Sequence, residues 1–426
     1  MNNHRREFIK KASILSAIPL ITPITDALAA EGAKTKHKVL IRSAWQTVNI
    51  GDIGHTFGIL ALFKQYLPEV EVVLWPKLID RGVDALLAKT FPKVKILPSS
   101  TGFGPNSPEL RKAFNECSFM VHGSGPYVTA YKDLQSWWNE TKKPYGIYGV
   151  SLDEVSPEVS ELIDKASFIH CRDTESLKYL KTLNLKCPVQ EFGPDATFAI
   201  DVLNEPKAEA YLQSVGLKQG EFICVIPRLR YTPYWQMKGI EPNEEDKRRY
   251  AISLQHKQID AEKLRQVVTD WVQKTGLKVL ICAEVTYQVD LGKEVIYDPL
   301  PDDIKKNVVW RDSFWLPDEA TSVYKRSKAL VAFEPHSPIM AFHQGIPSIH
   351  LKQPTDTRKG QMWRDVGLGD WYFLIDETPA SQISTALLKL HNNYAESLKT
   401  MEKAKAYVIK VQKDNMSVIK RSLPTI

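Results

Sequence analysis

The densest set of chemical groups in the chain is Glu334-Pro335-His336-Ser337-Pro338, running on to His343 and the Gly345-Ile346-Pro347 turn. A carboxylic acid and an imidazole two positions apart at a strand end are the right types for general acid–base work. The apolar run 329–333 ends just before them, which predicts Glu334 and His336 at an exposed turn, with a short helix reaching Gly345. His336 and His343 lack the one-face spacing of a zinc-binding H-E-x-x-H helix, so neither metal nor cofactor is expected. Arg228 and Arg230 follow another apolar run, 222–226. Two guanidinium forks at a strand end suit two-point binding of a carboxylate or phosphate, one facing a cleft and the other solvent.

Three smaller sets sit at other strand ends. In Asn49-x-Gly51-Asp52-x-Gly54-His55 the glycines let the backbone turn tightly and approach a ligand, and a helix start offers free N–H groups to an anion. The spacing is not the G-x-G-x-x-G dinucleotide fingerprint, and Asp52 either caps the helix or meets the ligand. In His122-Gly123-Ser124-Gly125 the pair Gly123 and Gly125 suits close backbone approach, and His122 reads as a structural hydrogen-bonder. Ser124 lies outside a G-x-S-x-G elbow, which argues against a hydrolase triad. Arg172-Asp173-x-x-Ser176 reads either as a helix cap with a local ion pair or as part of a site, and Asp195 brings a carboxylate to the cleft.

The elements that must carry these groups alternate. Short apolar runs at 38–42, 71–76, 94–98, 118–122, 145–150 and 166–170 are separated by helix-like stretches at 83–89, 108–115 and 129–138. That alternation predicts a mostly parallel sheet covered on both faces. A second series has strands at 222–226, 278–282 and 329–333 and an amphipathic helix over 261–274. The polar stretch 204–220 is the expected boundary, with a short helix over 206–215, and 378–418 reads as a surface or domain-bridging helix. The expectation is two α/β domains, 37–203 and 218–375, a helical tail 376–426, and a ligand in the cleft where strand ends face each other.

Composition excludes more than it selects. The 426 residues are 43% hydrophobic and 25% charged, with a net charge of +6, which is globular and neither disordered nor fibrous. No basic stripe or reader motif points to nucleic acid. The five cysteines are far apart, so neither a zinc site nor a disulfide scaffold is expected. Residues 1–29 have a basic head with Arg5-Arg6, an apolar middle broken by Pro19, Pro23 and Asp26, and an Ala27-Leu28-Ala29 end. This pattern predicts a cleaved twin-arginine export signal rather than a membrane anchor, hence the export machinery as a partner and a periplasmic or secreted location. Its removal leaves a net charge of +4.

Taken in order, the motifs resemble the polysaccharide pyruvyl transferase family over most of residues 37–375. The resemblance rests on Asn49-x-Gly51-Asp52, Gly123 and Gly125, Arg172-Asp173-x-x-Ser176, Asp195, an arginine at the strand end 226–230, and His336-x-x-Ile339-x-Ala341-x-x-x-Gly345-x-Pro347. It implies two Rossmann-like domains facing across a cleft, as in glycosyltransferases of the B type, and transfer of an enolpyruvyl unit from phosphoenolpyruvate to sugar hydroxyls. By position it makes Arg228 or Arg230 the carboxylate or phosphate anchor and His336 a donor-binding or acid–base residue. Asp52 and the Gly123–Gly125 turn then face the sugar. The family pattern usually has arginine two residues before the histidine, where this chain has Glu334. An acid there repels phosphate, and phosphoenolpyruvate is a cytoplasmic metabolite. Hydrolysis of pyruvate ketals, with Glu334 or His336 as general acid, is therefore the alternative. A non-catalytic glycan-binding protein is the third reading, and a nucleotide-sugar glycosyltransferase fits the architecture without a motif.

Overall fold

The structure, a computed structural model, describes residues 37–100 and 102–425; the expected export signal lies outside the described residues. The first sheet contains β1 (His37–Ser43), β2 (Val70–Pro76), β3 (Lys95–Ile96), β4 (Phe119–His122), β5 (Tyr145–Val150), β6 (Phe168–Cys171) and β7 (Gln190–Phe192). They lie in the order β3-β2-β1-β4-β5-β6-β7, and every pair is parallel. The second sheet contains β8 (Phe222–Ile226), β9 (Lys278–Ile281), β10 (Val308–Trp310), β11 (Ala329–Ala332), β12 (Ser348–Lys352) and β13 (Tyr372–Leu374). Its order, β10-β9-β8-β11-β12-β13, is the same crossover pattern as the first six strands. Each sheet therefore reverses strand order once, between β1 and β4 and between β8 and β11, where ligands bind in open α/β sheets. Strands β10, β12 and β13 were not expected from the sequence. β12 alternates polar and apolar residues, Ser-Ile-His-Leu-Lys, unlike the continuous runs of the other central strands, and β10 and β13 are three-residue strands at the sheet edges.

Both faces of each sheet are dry, which is why the strands are continuous apolar runs instead of alternating ones. Val39 and Ile41 of β1 face the core layer that lies between the sheets, and Leu40 faces the opposite layer of the first domain. In β8, Phe222, Cys224 and Ile226 enter the same intervening layer, while Ile223 and Val225 face the outer core of the second domain. One apolar layer thus joins the two sheets.

Four helices position the site. Helix α1 (Ile50–Tyr66) leaves β1 with Asn49 as its cap; the Asn49 side chain accepts from Gly51 N at 2.7 Å. Gly51, Gly54 and Gly58 fall on one face of α1 and carry no positive φ. They do not shape a ligand-binding turn, as the motif suggested. A Cβ on Gly51 would lie 2.3 Å from His336 Nδ1, and one on Gly58 would lie 1.8 Å from the Ala196 carbonyl. Gly51 lets α1 press against His336 of the second domain, and Gly58 lets it press against the turn at Ala196 in its own domain. Helix α2 (Glu205–Ser214), capped by Asn204, forms the expected short helix at the boundary. Helix α3 (Glu244–Thr275) starts well before the expected 261, behind a capping box of Asn243 and Asp246.

Helix α4 (His336–His343) ends before Gly345, whose φ is +79°. After α5 (Ala380–Asn392), the final helix α6 (Tyr394–Ser422) bridges the domains. Its Met401, Ala404 and Val408 pack in the second core, and Met416, Val418 and Ile419 in the layer shared with the first. Lys420 pairs with Glu69 at 2.7 Å, fastening the far end. Among the described residues no helix is long and apolar enough to cross a membrane.

Candidate active site

The strand ends of the two sheets meet at the start of α1. Backbone bonds from Ile50 N to Glu284 O and from Thr286 N to Val48 O, both 2.9 Å, stitch the domains through an isolated bridge between Asn49 and Val285. Asn49 is spent on this junction and on the helix cap. Asp52, one turn into α1, lies at the rim with Gln46, whose amide reaches both Asp52 and the Tyr234 hydroxyl. His55, one turn further, is fully buried.

On the first-domain side, Arg172 and Asp195 form a buried pair at 2.7 Å. The pair spans β6 to the turn after β7, so it is not the local pair the motif suggested. Arg172 Nε also donates to Ser151 Oγ at 2.9 Å. The neighbouring Asp173 caps its helix, accepting from Ser176 N at 2.7 Å. Asp195 Oδ1 accepts from Thr197 N at 2.8 Å and lies 2.9 Å from His55 Nδ1. Burial alone would push the Asp195 carboxyl up; the His55 ring and the Arg172 guanidinium overcome it and hold it well below its ordinary value.

On the second-domain side, His336 and Glu334 are buried, with 5% and 3% exposure, and do not sit at an exposed turn. The glycines of α1 allow this, because they bring the helix over them. His336 Nδ1 is 3.0 Å from Glu284 Oε1, and Glu284 Oε2 accepts from Ser337 N at 2.6 Å and Ser337 Oγ at 2.8 Å. Burial raises the Glu284 carboxyl to about 7 against the opposing Ser337 bonds. Burial, with His55 nearby, lowers His336 to about 3. Glu334 is raised by burial, with Arg228 opposing, and accepts from Gln288 Nε2 at 2.8 Å.

The two arginines diverge. Arg228 Nε lies 3.0 Å from Glu334 Oε1, out of line for a hydrogen bond, and its Nη1 pairs with Asp356. Lys359 stands 3.6 Å from the same Asp356. Arg230 does not point to solvent. It is 5% exposed, with its fork filled by Asp260 at 3.0 Å and by Asp376. Gly123 and Gly125 also fall outside the cluster. Gly123 closes against Ser43, and Gly125 exchanges backbone bonds of 3.3 Å with Gly149 and Ser151. His122 accepts from Ala130 N at 3.1 Å and is lowered by burial to about 3, a structural histidine.

The assembled site therefore holds Asp52, Arg172, Asp195, Arg228, Glu334 and His336, joined by Glu284 and His55, which the sequence reading gave no role. Both had a usable signal. Glu284 follows β9 as Glu334 follows β11, and His55 is one helical turn from Asp52. Ligand-type atoms of His55, Asp195 and His336 lie within 4.8 Å of one another. Both Asp195 oxygens are already engaged, one by a guanidinium, so a cation arriving there would have to displace Arg172.

Two parallel-sheet domains meeting at their strand ends, with the site between, define the B-type glycosyltransferase fold. Solved structures agree at 10–12% identity, which speaks to fold alone. UDP-GlcNAc 2-epimerase from Neisseria meningitidis, bound to UDP-GlcNAc, has a TM-score of 0.55 at 12% identity over 90% of this chain and 100% of its own. A UDP-glucosyltransferase from Polygonum tinctorium has a TM-score of 0.54 at 10% identity, covering 92% and 99%. ADP-heptose lipopolysaccharide heptosyltransferase II from E. coli has a TM-score of 0.50 at 11% identity, covering 84% and 99%. No curated protein sequence matches the chain. Residues 49–353 match the family described as polysaccharide pyruvyl transferase, and the chain belongs to that family.

Proposed function

We propose that this protein transfers pyruvyl groups from phosphoenolpyruvate to a diol of a polysaccharide sugar, forming a pyruvate ketal and releasing phosphate. The observation that carries the reading is the buried Glu284–His336 pair, set with Arg228 between the domains of a family member. His336 exchanges protons with the reacting atoms at Nε2, which has no partner and is buried, while Glu284 holds Nδ1. Arg228 faces the pyruvyl carboxylate, and Asp52 with Gln46 and Tyr234 at the rim faces the sugar.

A second reading is hydrolysis of the ketal, favoured by the proposed export, which takes the protein away from cytoplasmic phosphoenolpyruvate, and by the surroundings of Arg228. Arg228 is flanked by both Glu334 and Asp356, which offsets its charge where a phosphate would need it. Protonation of Glu334, raised by burial, leaves Arg228 able to hold a monoanionic pyruvyl group. The experiment incubates protein lacking residues 1–29 with phosphoenolpyruvate plus unmodified glycan, and separately with pyruvylated glycan. Phosphate with a new ketal is the expected result. Pyruvate without phosphate means hydrolysis, and neither product leaves a glycan-binding protein. Export by the twin-arginine route is also proposed, supported by Arg5-Arg6 and the apolar stretch behind them. Changing both arginines to lysine should retain the protein in the cytoplasm, and unchanged export would remove the assignment.

A further inference from the structure

Asp195 is an acceptor on every side. Oδ2 takes a hydrogen from Arg172, Oδ1 takes one from Thr197 N, and its carboxyl stays ionised. The remaining neighbour, His55 Nδ1 at 2.9 Å, must therefore donate. In the neutral ring the proton is thus fixed on Nδ1 and His55 Nε2 carries the lone pair. That atom is buried and unpartnered; the nearest charge is Asp52 Oδ1 at 3.8 Å. A buried polar atom without a partner is costly unless a ligand supplies one.

His336 is built the opposite way. Glu284 Oε2 is saturated by two Ser337 bonds, so a proton on this carboxyl sits on Oε1 and is given to His336 Nδ1. The hydrogen of His336 then sits on Nε2, which is also buried and unpartnered. The two rings are edge to face, with centroids 4.8 Å apart at 87°. Asp52, Arg172 and Asp195, whose Oδ2 lies 3.9 Å from His336 Nε2, from one domain, and Glu284, Arg228 and Lys359 from the other, are the charged groups around the pair.

We propose that His55 is a second catalytic residue, a proton acceptor held in one tautomer by Asp195 and working opposite the proton donor His336. The assignment rests on the pyruvyl-ketal reading of the site. In the transfer direction a sugar hydroxyl gives its proton to His55 Nε2 as its oxygen bonds to the central carbon of the enolpyruvyl group. The carbon–carbon π pair takes the proton of His336 Nε2 and becomes the methyl group as the Glu284 proton passes to His336 Nδ1. The second hydroxyl then displaces phosphate from that carbon, its proton returning to His336 Nε2 as Nδ1 gives its proton back to Glu284, while His55 gives its proton to the departing phosphate. Two hydroxyl protons enter, one ends on the methyl group and one on phosphate, and both histidines regain their starting state. Hydrolysis uses the same exchange, with water giving its proton to His55 as His336 protonates a ketal oxygen.

The test has two readouts. Long-range proton–nitrogen spectra of the full chain with labelled histidine, followed from pH 6 to pH 8, should show the neutral His55 ring as the Nδ1–H tautomer and, while Glu284 holds its proton, His336 as the Nε2–H tautomer. A neutral His55 ring with its hydrogen on Nε2, or the same tautomer in both neutral rings while Glu284 is protonated, overturns the division. In turnover, His55→Gln should lower kcat by about 10²–10³-fold with KM little changed. The His336 resonance of the variant reports whether its site is still folded. A variant with intact His336 signal and wild-type kcat overturns the assignment of His55 alone. Wild-type protein inactive on both substrate pairs overturns the ketal reading and this role with it.

Discussion

The two halves of the site contain the same ingredients, a carboxylate against an imidazole with an arginine nearby, and use them differently. In the first domain Asp195 receives hydrogens from Arg172, Thr197 and His55, and it stays charged. In the second domain Glu284 receives hydrogens only from neutral Ser337 besides its histidine contact, and burial wins. These two buried carboxyls part ways because His55 and Arg172 face Asp195, whereas only neutral donors besides the histidine face Glu284.

The largest way to break the comparison is at the titrating half. His336→Gln should reduce turnover by about 10³-fold, read by the phosphate and pyruvate assays, with little change in the melting transition. The fixed half should fail as structure instead. Arg172→Ala leaves Asp195 buried without its cation and should cost about 3–5 kcal/mol of stability in denaturant unfolding. A loss within about 1 kcal/mol would mean that the pair is dispensable.

A pH series sharpens the contrast further. With its pKa raised to about 7 from an ordinary 4.5, Glu284 holds more protons folded than unfolded, so its contribution is full below pH 4.5 and lost as pH rises through 7. Asp195, being depressed, stabilises above its ordinary 3.8 and loses that contribution as the solution becomes more acidic. Glu284→Gln should therefore flatten the fall in stability between pH 4.5 and 7, and an unchanged slope would show that Glu284 does not titrate there. The smallest effect separates the two arginines. Arg228→Gln should raise KM for the pyruvyl substrate by about tenfold, the usual worth of one charged contact. Arg230→Gln should lower the melting point and leave KM unchanged, because its fork is filled by Asp260 and Asp376.

Much of the scaffold was readable because its signals are local. The apolar runs at β1, β8 and β11, buried on both faces, show as continuous stretches of Val, Leu, Ile, Phe, Cys and Ala. Glu334, His336, Arg228, Arg172 and Asp195 stood out in the sequence by their strand-end positions, and the structure brings them together. Gly123, Gly125 and Arg230 stood out by the same positions, and the structure sets the glycines against backbone neighbours and fills the Arg230 fork with Asp260 and Asp376. Glu284 holds such a position too, yet did not stand out.

What the sequence by itself determined is the alternation of strands and helices, the cap at Asp173, and the strand ends that carry the candidate residues, whereas the first helix is capped by Asn49 and not by Asp52. Each depends on residues within a few positions of one another. Only the tertiary structure decided which strand ends meet. It set Arg172 beside Asp195 and His55 beside His336, because those contacts require two sheets to dock through α1. It also decided which carboxyls keep a charge, since burial and the identity of a partner 23 or 140 residues away set that balance.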